Sequence, residues 1–224
     1  MKKRVERPGV SVGYDLWSET YDRTPNPLVA LDRRHTMRIL DPKPEEYVLD
    51  AACGTGCYLD SIASLGGRPV GLDFSRSMLR VARRRCPKVP LVYAHLEDEL
   101  PFPHEDFDAV LCSLVGEHLD DPAQFFRQIS ASLKPEGRFV FSVFHPELAC
   151  AGIEANFEQS GVEYRLGAQR HSVSDYVNGI RDSGFQEIQA HEYSGDIELA
   201  QRIPSAGKYV DRKLLLVIEA RRRR

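Results

Sequence analysis

Between Tyr47 and Phe144, short apolar runs alternate with stretches of helical periodicity, and this alternation constrains the fold more than any other feature of the 224-residue chain. Strands separated by helices cannot pair as hairpins. They must be joined by crossovers, which gives a mostly parallel sheet covered on both faces. The spacing predicts strands over 47–51, 68–73, 91–94, 106–113 and 139–144. Tyr58, Leu59, Ile62, Ala63 and Leu65 mark one intervening helix, and Met78, Leu79 and Ala82 the inner face of another over 75–85. Phe125, Phe126, Ile129 and Leu133 mark a third over 122–133, with Asp121 as its cap and Pro122 in its first turn. The run Lys134–Arg138, "KPEGR", reads as a turn.

Outside this block the pattern thins. Residues 1–45 read as a helical cap carrying Tyr14, Trp17 and Tyr21, and 46–144 as the ligand-binding core. From His145 to Ser172 the periodicity lapses over a length unusual for a connection, which suggests a substrate lid. Val173, Tyr176, Val177 and Ile180 mark a last helix, closed by Gly184. Segments 186–193 and 213–220, with no helical signal between them, are expected to form an antiparallel pair at one sheet edge. The whole chain reads as one domain with a seven-stranded, three-layer α/β sheet whose last strand is antiparallel.

A net charge of −3 creates no field for a polyanion, so nucleic acid is not an expected partner. No apolar span of membrane length occurs, and Glu6, Arg7, Pro8 and Asp15 interrupt any signal-peptide core after the basic start, so the cytosol is expected. The five cysteines lack the paired spacing of a zinc site, and no metal is expected. Oligomeric state stays open.

The stretch Val48–Cys57, "VLDAACGTGC", is a strand running into a carboxylate and two glycines. Such a turn presents backbone N–H groups and a helix N-terminus to a ligand. A dinucleotide fingerprint would need a third glycine where this chain has Leu59. Asp50 would repel a pyrophosphate and attract an ammonium or sulfonium, while Asp73 stands where Rossmann-like folds bind ribose hydroxyls. A ligand with a cationic amino-acid end and a ribose satisfies both, and S-adenosylmethionine is one.

The runs "VLDAACGTGCYLDSIASLGGRPVGLDFSRSMLRVAR" and "LPFPHEDFDAVLCSLVGEHLDDPAQFFRQISASLKPEGRFVFSV" resemble class I S-adenosylmethionine-dependent methyltransferases of the small-molecule type, the group that includes the quinone and malonyl-carrier methyltransferases. The resemblance extends over Tyr14–Phe144 and, through "YVNGIRDSGF", to the last helix and strands. It implies the Rossmann-like class I fold, S-adenosylmethionine as cofactor with S-adenosylhomocysteine as product, and a small-molecule acceptor. It also implies Asp50 facing the methionine ammonium, the Gly54 and Gly56 backbone lining the cofactor, Asp73 on the ribose, Met78 on the adenine, and Tyr21 and Ser113 as further contacts. The family's acidic residue near the adenine amino group is displaced here: His95 and Leu96 occupy that neighbourhood and Glu97 follows one step late, leaving Leu96 as the ring contact.

His118, after the fourth strand, and His145, after the fifth, are the candidates for a general base or substrate contact. Glu117 and Glu147 are fallback acids, and Tyr164 and His171 lie in or near the lid. The residues leave open whether oxygen, nitrogen or carbon is methylated. They also leave a nicotinamide-dependent oxidoreductase and a non-catalytic S-adenosylmethionine-binding protein as alternatives.

Overall fold

The computed structural model describes residues 4–224. The chain enters with a short strand, β1 (Arg4–Glu6), absent from the sequence reading, and two helices, α1 (Val10–Trp17) and α2 (Pro27–Leu40). Asn26 starts α2 by accepting the Leu28 and Val29 N–H groups, while Pro27 occupies the first turn, where a missing N–H is harmless. The alternating block follows as β2 (Tyr47–Ala51), α3 (Cys57–Ser64), β3 (Arg68–Asp73), α4 (Arg76–Arg85), β4 (Leu91–Tyr93), β5 (Phe107–Ser113), α5 (Pro122–Ser132) and β6 (Leu133–Phe144). Asp121 caps α5 as read, accepting the Gln124 N–H.

The segment expected as a "KPEGR" turn is instead the bulged start of β6. Leu133 pairs with Phe107, and the register then shifts so that Arg138 lies beside Ala109. Lys134 and Arg138 hold it to the sheet through ion pairs with Asp108 (2.7 Å) and Glu46 (2.6 Å).

Two further differences lie downstream. Residues 145–172 contain α6 (Pro146–Cys150) and a hairpin of β7 (Asn156–Gln159) and β8 (Val162–Arg165), turned at Ser160 and Gly161, both with positive φ. β1 adds to this hairpin in parallel, making a separate three-stranded sheet. After α7 (Val173–Asp182) and β9 (Phe185–Ser194), the excursion expected to lack helix contains α8 (Ile197–Arg202) before β10 (Lys213–Arg222).

The seven-stranded sheet runs β4-β3-β2-β5-β6-β10-β9, parallel from β4 to β6, with β10 antiparallel to both neighbours. The count of seven strands, the mostly parallel sense and the antiparallel last strand are as expected. Consecutive residues of a strand face opposite sides, so the unbroken burial of Ala109–Cys112, Phe139–Phe144 and Leu214–Ile218 means both faces are covered. Strand order reverses at β2, with β3 and β4 on one side and β5 and β6 on the other. A crevice therefore opens between the carboxyl ends of β2 and β5.

Candidate active site

The turn after β2 is built on left-handed backbone. Gly54 (φ 52°) and Gly56 (φ 79°) adopt it freely, and a Cβ on Gly56 would come within 3.2 Å of the Ala82 backbone. Ala52 adopts it too, at φ 74°, a conformation that costs an ordinary residue about 1–2 kcal/mol. Such strain collects where a backbone is held for function. The Asp73 carboxylate clamps the turn, accepting the Gly54 N–H at 2.8 Å through one oxygen and the Ser75 N–H at 2.8 Å through the other. Burial nevertheless pushes its pKa up to about 6, against the pull of those two donors.

Asp50 lies beneath the same turn, 1% exposed, and neither carboxylate oxygen has a hydrogen-bond partner. Burial, with Asp73 and Asp32 adding repulsion, raises its pKa well above the ordinary carboxylate range. A buried carboxylate without a partner is a costly group that a cation would relieve. Asp32 contrasts with it. That buried carboxylate accepts hydrogen bonds from Thr36 (2.6 Å), Ser113 (2.6 Å) and Tyr58, tying α2 to β5 and α3.

The N-terminal segment closes over the crevice and is fastened at several points. Asp15 accepts from the Ser75 hydroxyl (2.6 Å) and the Ser77 N–H (2.9 Å), docking α1 on the start of α4. The Tyr14 hydroxyl shares a hydrogen bond with His118 Nε2 at 3.0 Å. Asp22 is paired with Arg33 (3.0 Å) and Arg85 (2.9 Å), whose guanidinium groups also donate to Cys57 Sγ. Cys57 is thus part of a charged knot beside the turn. Removing one fastener tests the arrangement. Tyr14→Phe is expected to lower unfolding stability by about 1 kcal/mol in urea denaturation, because it deletes one hydrogen bond and strands a ring nitrogen.

Three cavities meet under this cover. The first, lined by Tyr21, Arg33, Gly54, Asp73, Met78 and Ser113, lies against the glycine turn. The second, about 410 Å³, runs from Leu114 and Glu117 past Trp17, Phe144 and Phe157 to Lys208. The third, about 460 Å³, is bounded by Phe74, His95, Leu96 and His118 and by residues 166–169. Tyr14, Tyr21, Val29 and Leu114 line both the first and second cavities. Ala52, Asp73, Phe74 and Val115 line both the first and third. Trp17 stacks on Phe157 of the hairpin at 4.8 Å, so the N-terminal segment and the 145–172 segment form one wall of the second cavity.

The sequence-derived residues are distributed as follows. Tyr21, Gly54, Asp73, Met78 and Ser113 line the first cavity, Leu96 and His118 the third, and Asp50 lies buried below the turn. His118 is held neutral, its pKa lowered to about 4 by burial, and its ring is engaged by Tyr14. His145 does not reach these cavities. It is 1% exposed, its Nδ1 accepts the Glu147 N–H at the start of α6, and its Nε2 meets Glu192 of β9 at 2.9 Å. The end of β6 does point at the crevice, but the ring turns toward the antiparallel edge, where Lys213 completes the cluster at 2.9 Å from Glu192. Nor do Tyr164 and His171 line the cavities: Tyr164 stacks on Phe157, and His171 bonds the Leu119 carbonyl at 2.8 Å.

Sequence reasoning passed over Arg33, Tyr58 and Phe74, and gave Glu117 only a reserve role. Glu117 is 4% exposed, Oε2 has no partner, and burial raises its pKa to about 7. Among the described residues no cluster of His, Cys, Asp and Glu could hold a metal ion, and no helix is long and apolar enough to cross a membrane.

The sheet order, with the glycine turn at the carboxyl end of β2, is that of the Rossmann-like class I methyltransferase fold. Residues 49–141 match the family model described as a methyltransferase domain. A "probable S-adenosylmethionine-dependent methyltransferase" of Mycolicibacterium smegmatis is 30% identical over 77% of this chain and 70% of its own length. The chain belongs to the S-adenosylmethionine-dependent methyltransferase family. A demethylmenaquinone methyltransferase of Clavibacter sepedonicus is 37% identical over 62% of this chain, which spans only about three fifths (60%) of that relative's length. An S-adenosylmethionine-dependent methyltransferase structure from Mesorhizobium loti shares the fold at a TM-score of 0.73 and 24% identity, covering 88% of this chain and 100% of the other.

Proposed function

We propose that the protein transfers a methyl group from S-adenosylmethionine to a small-molecule acceptor. The observation that carries this reading is the unpartnered, buried Asp50 carboxyl group beneath the glycine turn, an acid that an adjacent cation would hold ionised. A pyrophosphate would add negative charge beside Asp50 and Asp73, whereas the amino-acid end of S-adenosylmethionine brings an ammonium, and its sulfur a second positive charge. Arg33, lining the same cavity, is the cation for the methionine carboxylate. Asp73 receives the ribose hydroxyls, and Met78, Phe74 and Leu96 form the apolar surface for the base.

When bound, the sulfonium supplies a methyl carbon already activated toward nucleophiles. What remains for the chain is to hold an acceptor in line with that carbon at about 3–3.5 Å and to keep water out. Trp17, Tyr21 and Phe157 exclude water by closing the second cavity. Tyr14 holds the cover down through His118, whose depressed pKa keeps positive charge away from the cationic ligand.

Calorimetric titration with S-adenosylmethionine, S-adenosylhomocysteine, NAD and NADP tests the assignment. Binding of the first two alone is expected. Binding of either nicotinamide nucleotide, or of none of the four, overturns it.

A further inference from the structure

Among the described residues, Glu117 alone lines both the second and third cavities. It sits on the turn Gly116–His118 that follows β5, fixed there by the Gln169 N–H, which donates to its backbone carbonyl at 2.8 Å. Its side chain is buried, and Oε2 has no hydrogen-bond partner. Taking the second cavity as the acceptor's, several other ionisable groups in it or beside it are already engaged or ill suited among the described residues. His118 is occupied by Tyr14, Asp32 accepts three hydrogen bonds, and burial keeps the Tyr14 and Tyr21 phenols protonated. Glu154, toward the mouth, is claimed by Arg7 at 2.8 Å and by the Gly167 N–H.

We propose that Glu117 is a catalytic residue of this site, whose free carboxylate oxygen takes the proton of an acceptor hydroxyl, and that the acceptor is accordingly a largely apolar, planar phenol or enol. This rests on the methyl-transfer reading above. The step balances: the hydroxyl proton moves to Glu117 Oε2, the oxygen lone pair forms the C–O bond to the methyl carbon, and the C–S bond breaks with its electron pair left on sulfur. The products are a methyl ether, S-adenosylhomocysteine and a protonated Glu117 that returns its proton to solvent when the cover opens.

The shape of the cavity favours an aromatic acceptor, since Trp17, Phe144, Phe157 and Tyr209 line it. An amine acceptor fits less well. Glu117 would hold it as a buried ammonium, whose lone pair is unavailable for attack. Among the described residues, the ionisable groups whose charge is felt at Glu117 include Asp32, Tyr14, Tyr21, Tyr176 and Cys112, none of them a cation that would hold it ionised. With a pKa near neutrality it is suited to accept a proton and later release it.

The test uses the protein saturated with S-adenosylhomocysteine and titrated calorimetrically with catechol and 2-naphthol, both neutral between about pH 6 and about pH 8. Wild type is expected to bind them roughly fivefold or more tightly at the upper pH, where Glu117 is ionised. Glu117→Gln should bind at least about tenfold more weakly at the upper pH and lose the pH dependence, with S-adenosylhomocysteine affinity unchanged within about twofold. Glu117→Asp, which keeps the carboxylate, should keep the pH dependence. Equal phenol binding and an equal pH profile in Glu117→Gln would overturn the proposal, as would failure of both phenols to bind wild type that has bound S-adenosylhomocysteine. Failure of S-adenosylhomocysteine itself to bind brings down the methyl-transfer reading instead, and with it this inference.

Discussion

Asp73→Ala is expected to lose S-adenosylmethionine affinity by about a hundredfold or more, because two ribose hydroxyls lose a charged acceptor worth about 1.5–3 kcal/mol each. The same change strands the Gly54 and Ser75 N–H groups, so stability should also fall, by about 1–3 kcal/mol for each. Titration separates the two roles. The pKa of Asp73 is raised from 3.8 to about 6, so its contribution to stability is complete below about pH 4 and lost as pH rises through about 6. That loss amounts to about 3 kcal/mol. Urea denaturation of ligand-free wild type and Asp73→Asn should therefore diverge across this interval, the wild type losing ground with rising pH. A constant difference between them would show that Asp73 does not titrate there.

Asp50→Asn should separate affinity from stability. Removing a buried carboxylate with no partner relieves the protein of an uncompensated group, so the ligand-free variant should unfold at the same denaturant concentration as wild type or a higher one. Cofactor affinity should fall in the same variant by about a hundredfold, the scale of losing one member of a buried charge pair. A variant that is less stable yet binds normally would make Asp50 a structural cap of the turn and nothing more.

The parts of this candidate site legible from the residues themselves are mostly those contiguous in sequence, while Tyr21, Leu96 and Ser113 come through the family resemblance. Asp50, Gly54, Gly56 and Asp73 follow from one strand-turn-helix-strand run, because each element's periodicity fixes where its ends lie, whereas Met78 reads as a core position and only the family resemblance points it at the adenine. Arg33, Asp32 and Tyr58 reach the site or its supports only through the packing of α2 over β5 and α3, which no spacing encodes. His145 shows the converse failure. Its position at a strand end is correct, but the direction of its ring depends on Glu192, which the antiparallel order of β10 and β9 brings alongside. Glu117 and His118 are neighbours on a three-residue turn, where no periodicity tells which side chain is left without a partner. The strands of the hairpin are four residues each, too short for alternation to stand out.

The cover has a further consequence, which concerns time. Its two halves come from opposite parts of the chain: Arg7 grips Glu154 across 147 positions, and β1 finds its partner only in β8. Contacts so remote in sequence are among the slowest to form, since a long loop must close before they stabilise anything. A growing polypeptide thus presents the glycine turn and both aspartates well before it can shelter them. The chamber can first close only once residues 154–165 have been made.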